Sequence, residues 1–318
     1  MQRKNKDSAI RATSPQGNLK GRGKIWLDGK FVDWDQAHIH VLSHALHYGS
    51  GAFEGIRCYK TDAGRALYRL DDHLDRLFFS AKTLDMAMPF SQTDLRNAII
   101  SLVQLNAIDE CYIRPIVFYG YGNMSLDVSF PTPVTVAIAL WPWEAYLGGN
   151  GVRVHISKYR RFHPQSVIID AKITGYYASS VAATIEAKKV GDDEALLLDT
   201  EGNVAEGPAE NIFMVKNGVL YTPAQGSILP GITRVSVIHI AKDATIEVQE
   251  KKITSEECIN SDELFFTGTA VEICPIFSIN GTRIGNGTPG PITQKIKDTY
   301  MTIVRGKNEK YKHWLSFI

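Results

Sequence analysis

A stretch rich in proline, glycine and aromatic residues divides the chain, and it limits the folds that the chain can adopt. It covers residues 141–151 and follows residues 134–140, an apolar run typical of a buried strand. A chain of 318 residues is long enough for two domains with a cleft between them. The sequence therefore predicts a small N-terminal domain over residues 24–140, a linker over 141–151 and a larger C-terminal domain over 152–318.

The charge balance and the cysteine content exclude several classes of partner. The 35 lysines and arginines nearly balance the 34 aspartates and glutamates, so no overall field attracts nucleic acid or an acidic membrane. No apolar run reaches the roughly 18 residues that indicate a membrane span. The four cysteines show neither zinc-site spacing nor the density of a secreted disulfide scaffold. These features predict a cytoplasmic protein that acts on small molecules.

Residues 1–23 are mostly basic where they are charged, and they show little apolar periodicity. We interpret them as a flexible, solvated tail. An organelle transit peptide is the alternative, because such peptides are basic and poor in acids, but this segment lacks a convincing amphipathic face.

Hydrophobic periodicity in the rest of the chain predicts a mixture of strands and helices, and hence a mixed α/β fold. Turn dipeptides stand at Asp28-Gly29, Asn217-Gly218 and Asn280-Gly281. Helical patterns cover residues 70–84, 92–106 after a Ser91 cap, 179–189, 235–241 and 292–304. Strand patterns cover residues 111–118 and 263–273, among others. Pro115 predicts that the first of these two strands lies at a sheet edge or contains a bulge.

Lys172 lies among apolar and small residues, between Ile168 and Tyr177. A lysine in a dehydrated setting loses its proton more easily, and its amine can then form a Schiff base with a carbonyl cofactor. The local sequence alone favours the simpler interpretation, in which the stem packs and the ammonium reaches water.

Two further signals have a structural and a functional interpretation. Arg76, inside a predicted helix, pairs with Asp72 or binds a phosphate. The glycine-containing loop 227–234 leads into a helix, and helix N-termini bind phosphate, although such termini are common.

Polar residues on predicted strands are ambiguous in the same way. Tyr112 and Arg114 share one face of a strand, where they hold a carboxylate or form an ion pair at the rim. Glu206 and Glu210 stand beside a buried strand, which is costly unless each carboxylate has a partner. The small residues at 267–270 offer backbone amides for an anion.

The histidines are concentrated in one segment, at His38, His40, His44 and His47. No run of carboxylates or thiolates accompanies them, so we interpret them as packed or hydrogen-bonded imidazoles and predict no metal site.

Taken together, the motifs resemble those of the branched-chain amino-acid aminotransferases of the pyridoxal-phosphate fold-type IV group. The resemblance covers the chain from about residue 24 to its C-terminus, and one such motif alone would carry little weight. The motifs occur in the family's order: HALHYG at 44–49, FEGIR at 53–57, YIRP at 112–115, AK at 171–172, EG at 206–207, EN at 210–211, LPGITR at 229–234, and GTA at 268–270 with Glu272.

The resemblance implies a fold, a cofactor and a reaction. The fold has a barrel-like sheet in the larger domain, with pyridoxal 5'-phosphate in the cleft between the domains. The reaction reversibly transfers an amino group between L-leucine, L-isoleucine or L-valine and 2-oxoglutarate by a ping-pong route. The family also implies a homo-oligomer, at least a dimer and in some relatives a hexamer, whose active sites share residues between subunits.

The resemblance also implies roles for the cofactor-binding residues. Lys172 would hold the cofactor covalently and move the proton between the substrate's alpha carbon and the cofactor's C4'. Glu206 would contact the pyridine nitrogen, and Tyr177 would hydrogen-bond the ring oxygen. The phosphate and the loop around it would involve Arg76, Leu229, Gly231, Ile232, Thr233 and Thr269.

For the substrate, Tyr112 and the amides of Thr269 and Ala270 would hold the alpha carboxylate. Arg114, aided by Tyr48 and Tyr146, would pair with the side-chain carboxylate of glutamate. The branched side chain would lie in a pocket that includes Tyr48, Phe53, Gly55, Met124, Leu126, Trp143 and Tyr146.

The sequence departs from its relatives in three respects, and three other functions are alternatives. Ala209 replaces a glycine, no CxxC pair like that of the mammalian enzymes is present, and the basic tail has no counterpart in the shorter relatives. A D-amino-acid aminotransferase and an aminodeoxychorismate lyase share the fold, but the YIRP and HALHY segments argue against both. A non-catalytic cofactor-binding module would not need Lys172, Glu206 and Tyr177 together.

Overall fold

The computed structural model describes residues 23–143 and 151–318. The predicted tail up to residue 22, most of the predicted linker and Tyr146 lie outside the described residues. The strands are β1 Lys24–Leu27, β2 Lys30–Asp33, β3 Gly51–Phe53, β4 Ile56–Thr61, β5 Gly64–Tyr68, β6 Cys111–Tyr119, β7 Val134–Pro142, β8 Val152–Arg160, β9 Glu194–Leu198, β10 Val204–Glu206, β11 Asn211–Lys216, β12 Val219–Pro223, β13 Val248–Lys251, β14 Glu263–Gly268, β15 Glu272–Ile279, β16 Thr282–Arg283 and β17 Leu315–Phe317. The helices are α1 His44–Tyr48, α2 Leu70–Lys82, α3 Gln92–Asn106, α4 Tyr177–Lys189, α5 Ile232–Asp243, α6 Ser255–Ile259 and α7 Pro291–Val304.

The first sheet is antiparallel and contains the strands before residue 143 together with β17. Its order is β17-β5-β4-β6-β7-β1-β2, and β3 also pairs with β6. The predicted hairpin at Asp28-Gly29 is confirmed, since β1 and β2 pair around it. The C-terminal strand β17 pairs with β5, so the end of the chain returns to this sheet.

Pro115 lies in the middle of a central strand, so the prediction of an edge strand or bulge is wrong. β6 pairs with β7 along its whole length. On its other side, β3 ends opposite Ile116 and β4 begins opposite Ile113, which leaves a gap opposite Pro115. The Pro115 carbonyl accepts the Glu54 amide across this gap at 2.9 Å. The missing N–H of proline faces the same gap and therefore interrupts no ladder bond.

The second sheet contains a closed barrel, which confirms the expected barrel-like sheet. Six strands form the ring in the order β8-β9-β10-β11-β14-β15, with β15 returning to β8. The pairs β8–β9 and β8–β15 are parallel, and the other pairs in the ring are antiparallel. β12, β13 and β16 extend this sheet, and the predicted turns at Asn217-Gly218 and Asn280-Gly281 join β11 to β12 and β15 to β16.

Residues 263–273 form two strands and not the single strand that the pattern predicted. β14 ends at Gly268, β15 begins at Glu272, and residues 269–271 turn between them. Apolar residues on both sides of a tight turn produce one continuous apolar pattern, which explains the error. The turn places Thr269 and Ala270 at the end of a hairpin, where their amides are not part of the ladder.

The helices begin where capping chemistry places them. Ser91 caps α3: its hydroxyl accepts the Asp94 amide at 3.1 Å, and the Asp94 carboxylate accepts the Ser91 amide at 2.9 Å. α5 begins at Ile232, earlier than the predicted 235, with Gly231 as its N-cap. Among the described residues no helix is long and apolar enough to cross a membrane.

Two apolar cores stabilise the walls of the cleft between the sheets. One packs α2 and α3 on the first sheet and includes Leu77 and Ile99. The other joins Tyr59 and Tyr68 of the first sheet to Phe265 of the barrel. Full burial of a side chain such as Leu77 contributes about 1.5–3 kcal/mol. Since the second core contains side chains of both sheets, it fixes the walls of the cleft relative to each other.

Candidate active site

Two adjoining cavities lie between the two sheets and form the inner and outer parts of one cleft. Its inner part, about 50 Å³, is lined mainly by the barrel and the start of α5, and its outer part, about 380 Å³, is lined mainly by the first sheet. Six residues line both parts: Arg76, Lys172, Tyr177, Ala209, Glu210 and Thr269. The inner and outer parts therefore meet at Lys172.

Contacts from α2 and β3 hold the backbone of Lys172 in place. Its amide donates to Ser80 Oγ at 2.9 Å, and its carbonyl accepts the Phe53 amide at 3.1 Å. Its Nζ lies 2.8 Å from Tyr177 Oη, between the rings of Phe53 and Tyr177, whose centroids are 5.1 and 5.2 Å away. The amine thus faces the cavity, and the simpler interpretation of an ammonium that merely reaches water does not describe it.

Glu206 lies buried at the end of β10 and faces the inner cavity. One oxygen lies 2.8 Å from Arg161 Nη2, and the other accepts Asn211 Nδ2 at 3.0 Å and the Leu229 amide at 3.2 Å. Burial raises the pKa of Glu206, while the charge of Arg161 and the Leu229 hydrogen bond oppose the rise. The carboxyl group is therefore fixed in orientation and holds a proton more readily than an exposed glutamate.

Glu210, the second buried carboxyl group, has no cationic partner among the described residues. Burial raises the pKa of Glu210 to about 8, and the charges of Glu194 and Glu206 add to the effect. Its main opposing contact is the Ala209 amide, which donates to Glu210 Oε2 at 3.0 Å. The expected partner is thus present for Glu206, whereas Glu210 has none among the described residues and holds its proton more readily than an exposed glutamate.

The start of α5 and Arg76 face each other across the inner cavity. Gly231, Ile232 and Thr233 line it, and the 12-residue helix directs its positive end there. A Cβ on Gly231 would lie 1.9 Å from Asn211 Oδ1, so this position requires glycine. Arg76 Nη1 donates to the Pro230 carbonyl at 2.9 Å. These groups form a cationic cradle for an anion.

The alternative pairing of Arg76 with Asp72 is wrong. Asp72 accepts Arg69 Nε at 2.5 Å, one helical turn earlier. Arg76 pairs with Glu54, which is buried in the break between β3 and β4. Helical spacing offered Asp72 as a partner, but it carried no information about a carboxylate supplied by a distant strand.

The outer cavity contains the predicted phenol and guanidinium pair on one face of β6. Arg114 Nη2 donates to Tyr112 Oη at 3.4 Å, and the guanidinium lies 4.7 Å from the ring centre of Phe53. Among residues 23–143 and 151–318, no carboxylate pairs with Arg114, so the alternative of a rim ion pair is not seen in the described part of the chain. Trp143 Nε1 donates to the Ala270 carbonyl at 3.3 Å. A Cβ on Gly55 would lie 1.7 Å from Tyr112 Oη, which makes glycine necessary there.

Three residues predicted to form the side-chain pocket lie outside both parts of the cavity. Tyr48, on α1, is 47% exposed and donates from its hydroxyl to the Met124 carbonyl at 3.1 Å. Leu126 is 76% exposed. Within one chain, Tyr48, Met124 and Leu126 therefore do not line the cavity, and their role in the pocket stays a prediction. A motif indicates that residues serve a site, but it does not indicate which copy of the chain supplies them.

The histidine segment contains hydrogen-bonded imidazoles, as predicted. The two ring nitrogens of His44 lie 2.6 Å from Ser50 Oγ and 3.0 Å from the Ser125 carbonyl. His47 Nε2 lies 2.9 Å from the Val41 carbonyl. The contact between His44 and Ser125 connects α1 to the segment around residue 125.

The residues of the inner cavity fit pyridoxal 5'-phosphate. They present an amine for its aldehyde, a buried carboxyl for its ring nitrogen, a phenol for its ring oxygen and a cationic cradle for its phosphate. The buried Thr267 hydroxyl, which lines the inner cavity, has no hydrogen-bond partner among the described residues. A buried polar atom of this kind is accounted for by a ligand in the cavity.

Sequence reasoning missed several residues that hold the site together. Arg161 and Asn211 fix Glu206, while Glu54 pairs with Arg76 and is itself held by His73. The cost of a buried carboxylate at position 206 indicated that a partner must exist. It did not indicate which of the many arginines the fold brings there.

Comparison with known proteins identifies relatives over most of the chain. The family described as amino-transferase class IV matches residues 51–279. The branched-chain-amino-acid aminotransferase of Pseudomonas aeruginosa is 44% identical over 300 residues, which are 93% of this chain and 97% of the relative.

Two solved structures have the same fold. The T.th. branched-chain amino acid aminotransferase complexed with N-(5'-phosphopyridoxyl)-L-glutamate superposes with a TM-score of 0.91 at 43% identity, covering 94% of this chain and 99% of that one. The branched-chain aminotransferase of Thermoproteus uzoniensis with norvaline gives a TM-score of 0.89 at 45% identity, covering 92% and 98%.

Proposed function

Since this chain belongs to the class IV aminotransferases and, among them, to the branched-chain-amino-acid aminotransferases, we propose how its cavity residues carry out the reaction. The protein is a pyridoxal-phosphate-dependent transaminase of branched-chain amino acids. When bound, the cofactor accepts the amino group and withdraws electrons from the substrate's alpha carbon. Lys172 Nζ lies 2.8 Å from Tyr177 Oη where the inner and outer parts of the cavity meet, and this contact is the main support for the roles proposed for the two residues.

Lys172 is the residue that moves the proton. Its backbone is held by Ser80 and Phe53, so its side chain has a fixed origin on the cavity wall. Its amine would hold the cofactor and, once displaced by the substrate's amino group, would be free to take the proton from the substrate's alpha carbon and deliver it to C4' of the cofactor. The rings of Phe53 and Tyr177 keep water away from this amine.

Glu206 and Tyr177 tune the cofactor ring. Glu206 would keep the ring nitrogen of the cofactor protonated, because a cationic N–H beside a buried carboxylate stabilises its negative charge. Arg161, at 2.8 Å, keeps Glu206 in the orientation that this contact needs. Tyr177 donates to the ring oxygen from the position that it occupies beside Lys172.

The phosphate is held where α5 begins. The amides of Ile232 and Thr233 are in the first turn of the helix and have no partner within it. Arg76 closes the cradle from α2, and Thr269 adds a hydroxyl from the β14–β15 turn. Gly231 lets the chain pass close to Asn211, and Leu229 anchors the loop through the hydrogen bond from its amide to Glu206.

The outer cavity accepts two kinds of side chain. Tyr112 and the amides of Thr269 and Ala270 bind the alpha carboxylate shared by all substrates. Phe53 and Trp143 offer apolar surface to a branched side chain, while Arg114 binds the second carboxylate of glutamate or 2-oxoglutarate. The T.th. relative was solved with a phosphopyridoxyl adduct of L-glutamate, which supports 2-oxoglutarate as the amino-group acceptor.

Replacing Arg114 by methionine separates these two substrates. We expect the KM for 2-oxoglutarate to rise by about tenfold to a hundredfold, the value of one charge-assisted hydrogen-bonded pair. The half-reaction with L-leucine is expected to change by no more than a few fold, because an apolar side chain gains nothing from the guanidinium. Steady-state kinetics with varied 2-oxoglutarate and single-turnover kinetics with L-leucine measure the two effects.

The matched control is Arg96→Met, which removes an arginine on α3 that contacts Asp71 and Ser316 outside the cavity. It is expected to leave both reactions unchanged. Equal losses with 2-oxoglutarate and L-leucine in Arg114→Met would show that Arg114 holds the cavity walls and does not select the substrate.

We further propose that the smallest active unit is a homodimer. Apolar side chains are exposed on α1 and on the segment that it contacts, including Val41, Leu46 and Phe130. Such a surface is typical of a protein interface. The same surface carries Tyr48, Met124 and Leu126, which lie outside the cavity of their own chain. A second copy that docks here would bring these three residues to the cavity of its partner.

Leu126→Glu places a charge in this surface and is expected to weaken the dimer. Sedimentation should show a shift from dimer or larger species toward monomer, together with a loss of turnover that high protein concentration restores. A wild-type protein that is monomeric and fully active at low concentration would contradict the proposal.

We also propose a cytoplasmic location. The four cysteines are free and buried, as they would be in a reducing compartment, and the substrates are common metabolites. Subcellular fractionation tests the proposal, and recovery of the protein in a membrane or secreted fraction would contradict it.

A further inference from the structure

Glu54 is fully buried, at 0% exposure, in the break between β3 and β4, and its carboxylate accepts four hydrogen bonds. Arg76 donates two of them, Nε to Oε1 at 2.5 Å and Nη2 to Oε2 at 3.0 Å. His73 Nδ1 lies 2.7 Å from Oε2, and the Gly55 amide donates to the same oxygen at 3.2 Å. Residues of α2 therefore surround an acid supplied by the first sheet.

The charges of this cluster are well defined. Burial alone would raise the pKa of Glu54, but the charges and hydrogen bonds of Arg76 and His73 hold it far below its usual range. Burial lowers the pKa of His73, although Glu54 opposes this shift. At neutral pH the cluster therefore contains an ionised Glu54, a cationic Arg76 and a neutral His73 that donates its Nδ1–H.

The hydrogen bonds leave Arg76 with a defined set of free donors. A guanidinium has five N–H groups. Two donate to Glu54, and one on Nη1 donates to the carbonyl of Pro230, which directly precedes the N-cap of α5. Two remain, one on each terminal nitrogen. The guanidinium is thus held on one side by the first sheet and on the other by the loop of the phosphate cradle.

We propose that Glu54 is a positioning residue that orients Arg76 so that these two remaining N–H groups bind the cofactor's phosphate. The inference rests on the proposed function, because it requires a phosphate in the cradle. The negative charge of Glu54 also repels that phosphate. This repulsion lowers the affinity for the phosphate, whereas the orientation of Arg76 by Glu54 raises it. The hydrogen-bond geometry indicates which effect is larger.

A glutamine at position 54 cannot reproduce the observed contacts. A carboxylate accepts at both oxygens, whereas an amide accepts only at one and donates at the other. If the amide oxygen keeps the contacts of Oε2, the NH2 group faces Arg76 Nε, and two donors meet. Arg76 must then turn away, and the two N–H groups intended for the phosphate turn with it. We therefore expect the loss of orientation to outweigh the relief of repulsion.

Cofactor binding to the apoenzyme tests the proposal without reference to turnover. Pyridoxal 5'-phosphate and pyridoxal, which lacks the phosphate, are each titrated against wild type and Glu54→Gln, and binding is followed by the absorbance of the bound cofactor. Glu54→Gln is expected to raise the Kd for pyridoxal 5'-phosphate about tenfold, the value of a weakened charge-assisted contact. The Kd for pyridoxal is expected to stay within about twofold, because pyridoxal makes no contact with Arg76.

A double-mutant cycle with Arg76→Gln establishes whether Glu54 acts through Arg76. In the Arg76→Gln background, we expect Glu54→Gln to leave the Kd for pyridoxal 5'-phosphate nearly unchanged, a ratio of about one. The matched control is Glu263→Gln. Glu263 is another buried glutamate, and it accepts the amides of Ile292 and Thr293 at the start of α7, away from the cavity. This variant is expected to keep the wild-type ratio of the two affinities.

Three results would overturn the proposal: equal losses for both cofactors, an unchanged or tighter affinity for pyridoxal 5'-phosphate, or an undiminished effect in the Arg76→Gln background. If Glu54→Gln does not fold, Glu54→Asp provides the same test. The shorter aspartate keeps the negative charge but moves it away from Arg76. We therefore expect this variant to lose the preference for the phosphorylated cofactor. A wild-type protein that binds neither pyridoxal 5'-phosphate nor pyridoxal would contradict the proposed function. Glu54 variants that keep the wild-type preference for pyridoxal 5'-phosphate over pyridoxal would contradict only the role of Glu54.

Discussion

Replacing Lys172 by alanine is expected to abolish transamination, with a fall in turnover of about 10⁴-fold or more, the upper range for loss of a positioned acid–base group. The alanine has no amine to hold the cofactor and none to move the proton at the alpha carbon. Tyr177, at 2.8 Å from the present Nζ, cannot replace it, because a phenol does not form the covalent link. Borohydride treatment followed by mass spectrometry should find the cofactor attached to residue 172 in wild type and to no residue in the variant.

The matched control is Lys158→Ala, which removes an exposed lysine on β8 that faces Glu186. Its turnover should equal that of wild type. Normal turnover in Lys172→Ala would contradict the mechanism, and attachment of the cofactor to a different lysine in the wild-type protein would contradict the assignment of the residue.

Replacing Glu206 by glutamine is expected to lower kcat by roughly 10²–10³-fold, the range for loss of one preorganised electrostatic contact. If the amide oxygen of glutamine accepts from Arg161, its NH2 group meets the donors Asn211 Nδ2 and the Leu229 amide, so glutamine cannot keep all the contacts that orient Glu206. Glutamine also carries no negative charge to keep the ring nitrogen protonated. The ring withdraws electrons less well, so removal of the proton from the alpha carbon slows while the phosphate contacts persist.

Single-turnover kinetics with L-leucine, together with the Kd of pyridoxal 5'-phosphate, test this prediction. We expect a large decrease in the rate of the half-reaction and a much smaller change in cofactor affinity. The buried Glu263→Gln variant again provides the comparison outside the cavity. A wild-type rate in Glu206→Gln would show that Glu206 does not act on the ring nitrogen.

Local rules predicted much of the secondary structure because they depend on neighbouring residues. The turn at Asp28-Gly29 and the capping box of Ser91 and Asp94 form as expected, since their hydrogen bonds close within a few residues. Pro115 was misplaced for the converse reason. Whether its missing N–H is harmful depends on a gap between two other strands, and no pattern within β6 contains that information.

The candidate site shows the same limit. Residues within the recognised motifs, such as Lys172, Glu206 and Ile232, line the cavity. Arg161 lies outside the motifs and Glu54 lies within the FEGIR motif, but both pair with residues of distant segments, Glu206 and Arg76, and the sequence alone does not indicate these pairs. Tyr48 belongs to a recognised motif and yet lies outside its own chain's cavity, because a motif does not specify the assembly.

We expect this cavity to transfer the amino group of L-branched-chain amino acids, and a panel of half-reactions tests this assignment. The protein loaded with pyridoxal 5'-phosphate is mixed with L-leucine, L-isoleucine, L-valine or D-alanine, and the loss of the bound-cofactor absorbance and the 2-oxo acid formed are measured. We expect all three L-amino acids to react and D-alanine to remain unchanged. A faster reaction with D-alanine than with L-leucine, or no reaction with any L-branched-chain amino acid, would contradict the assignment.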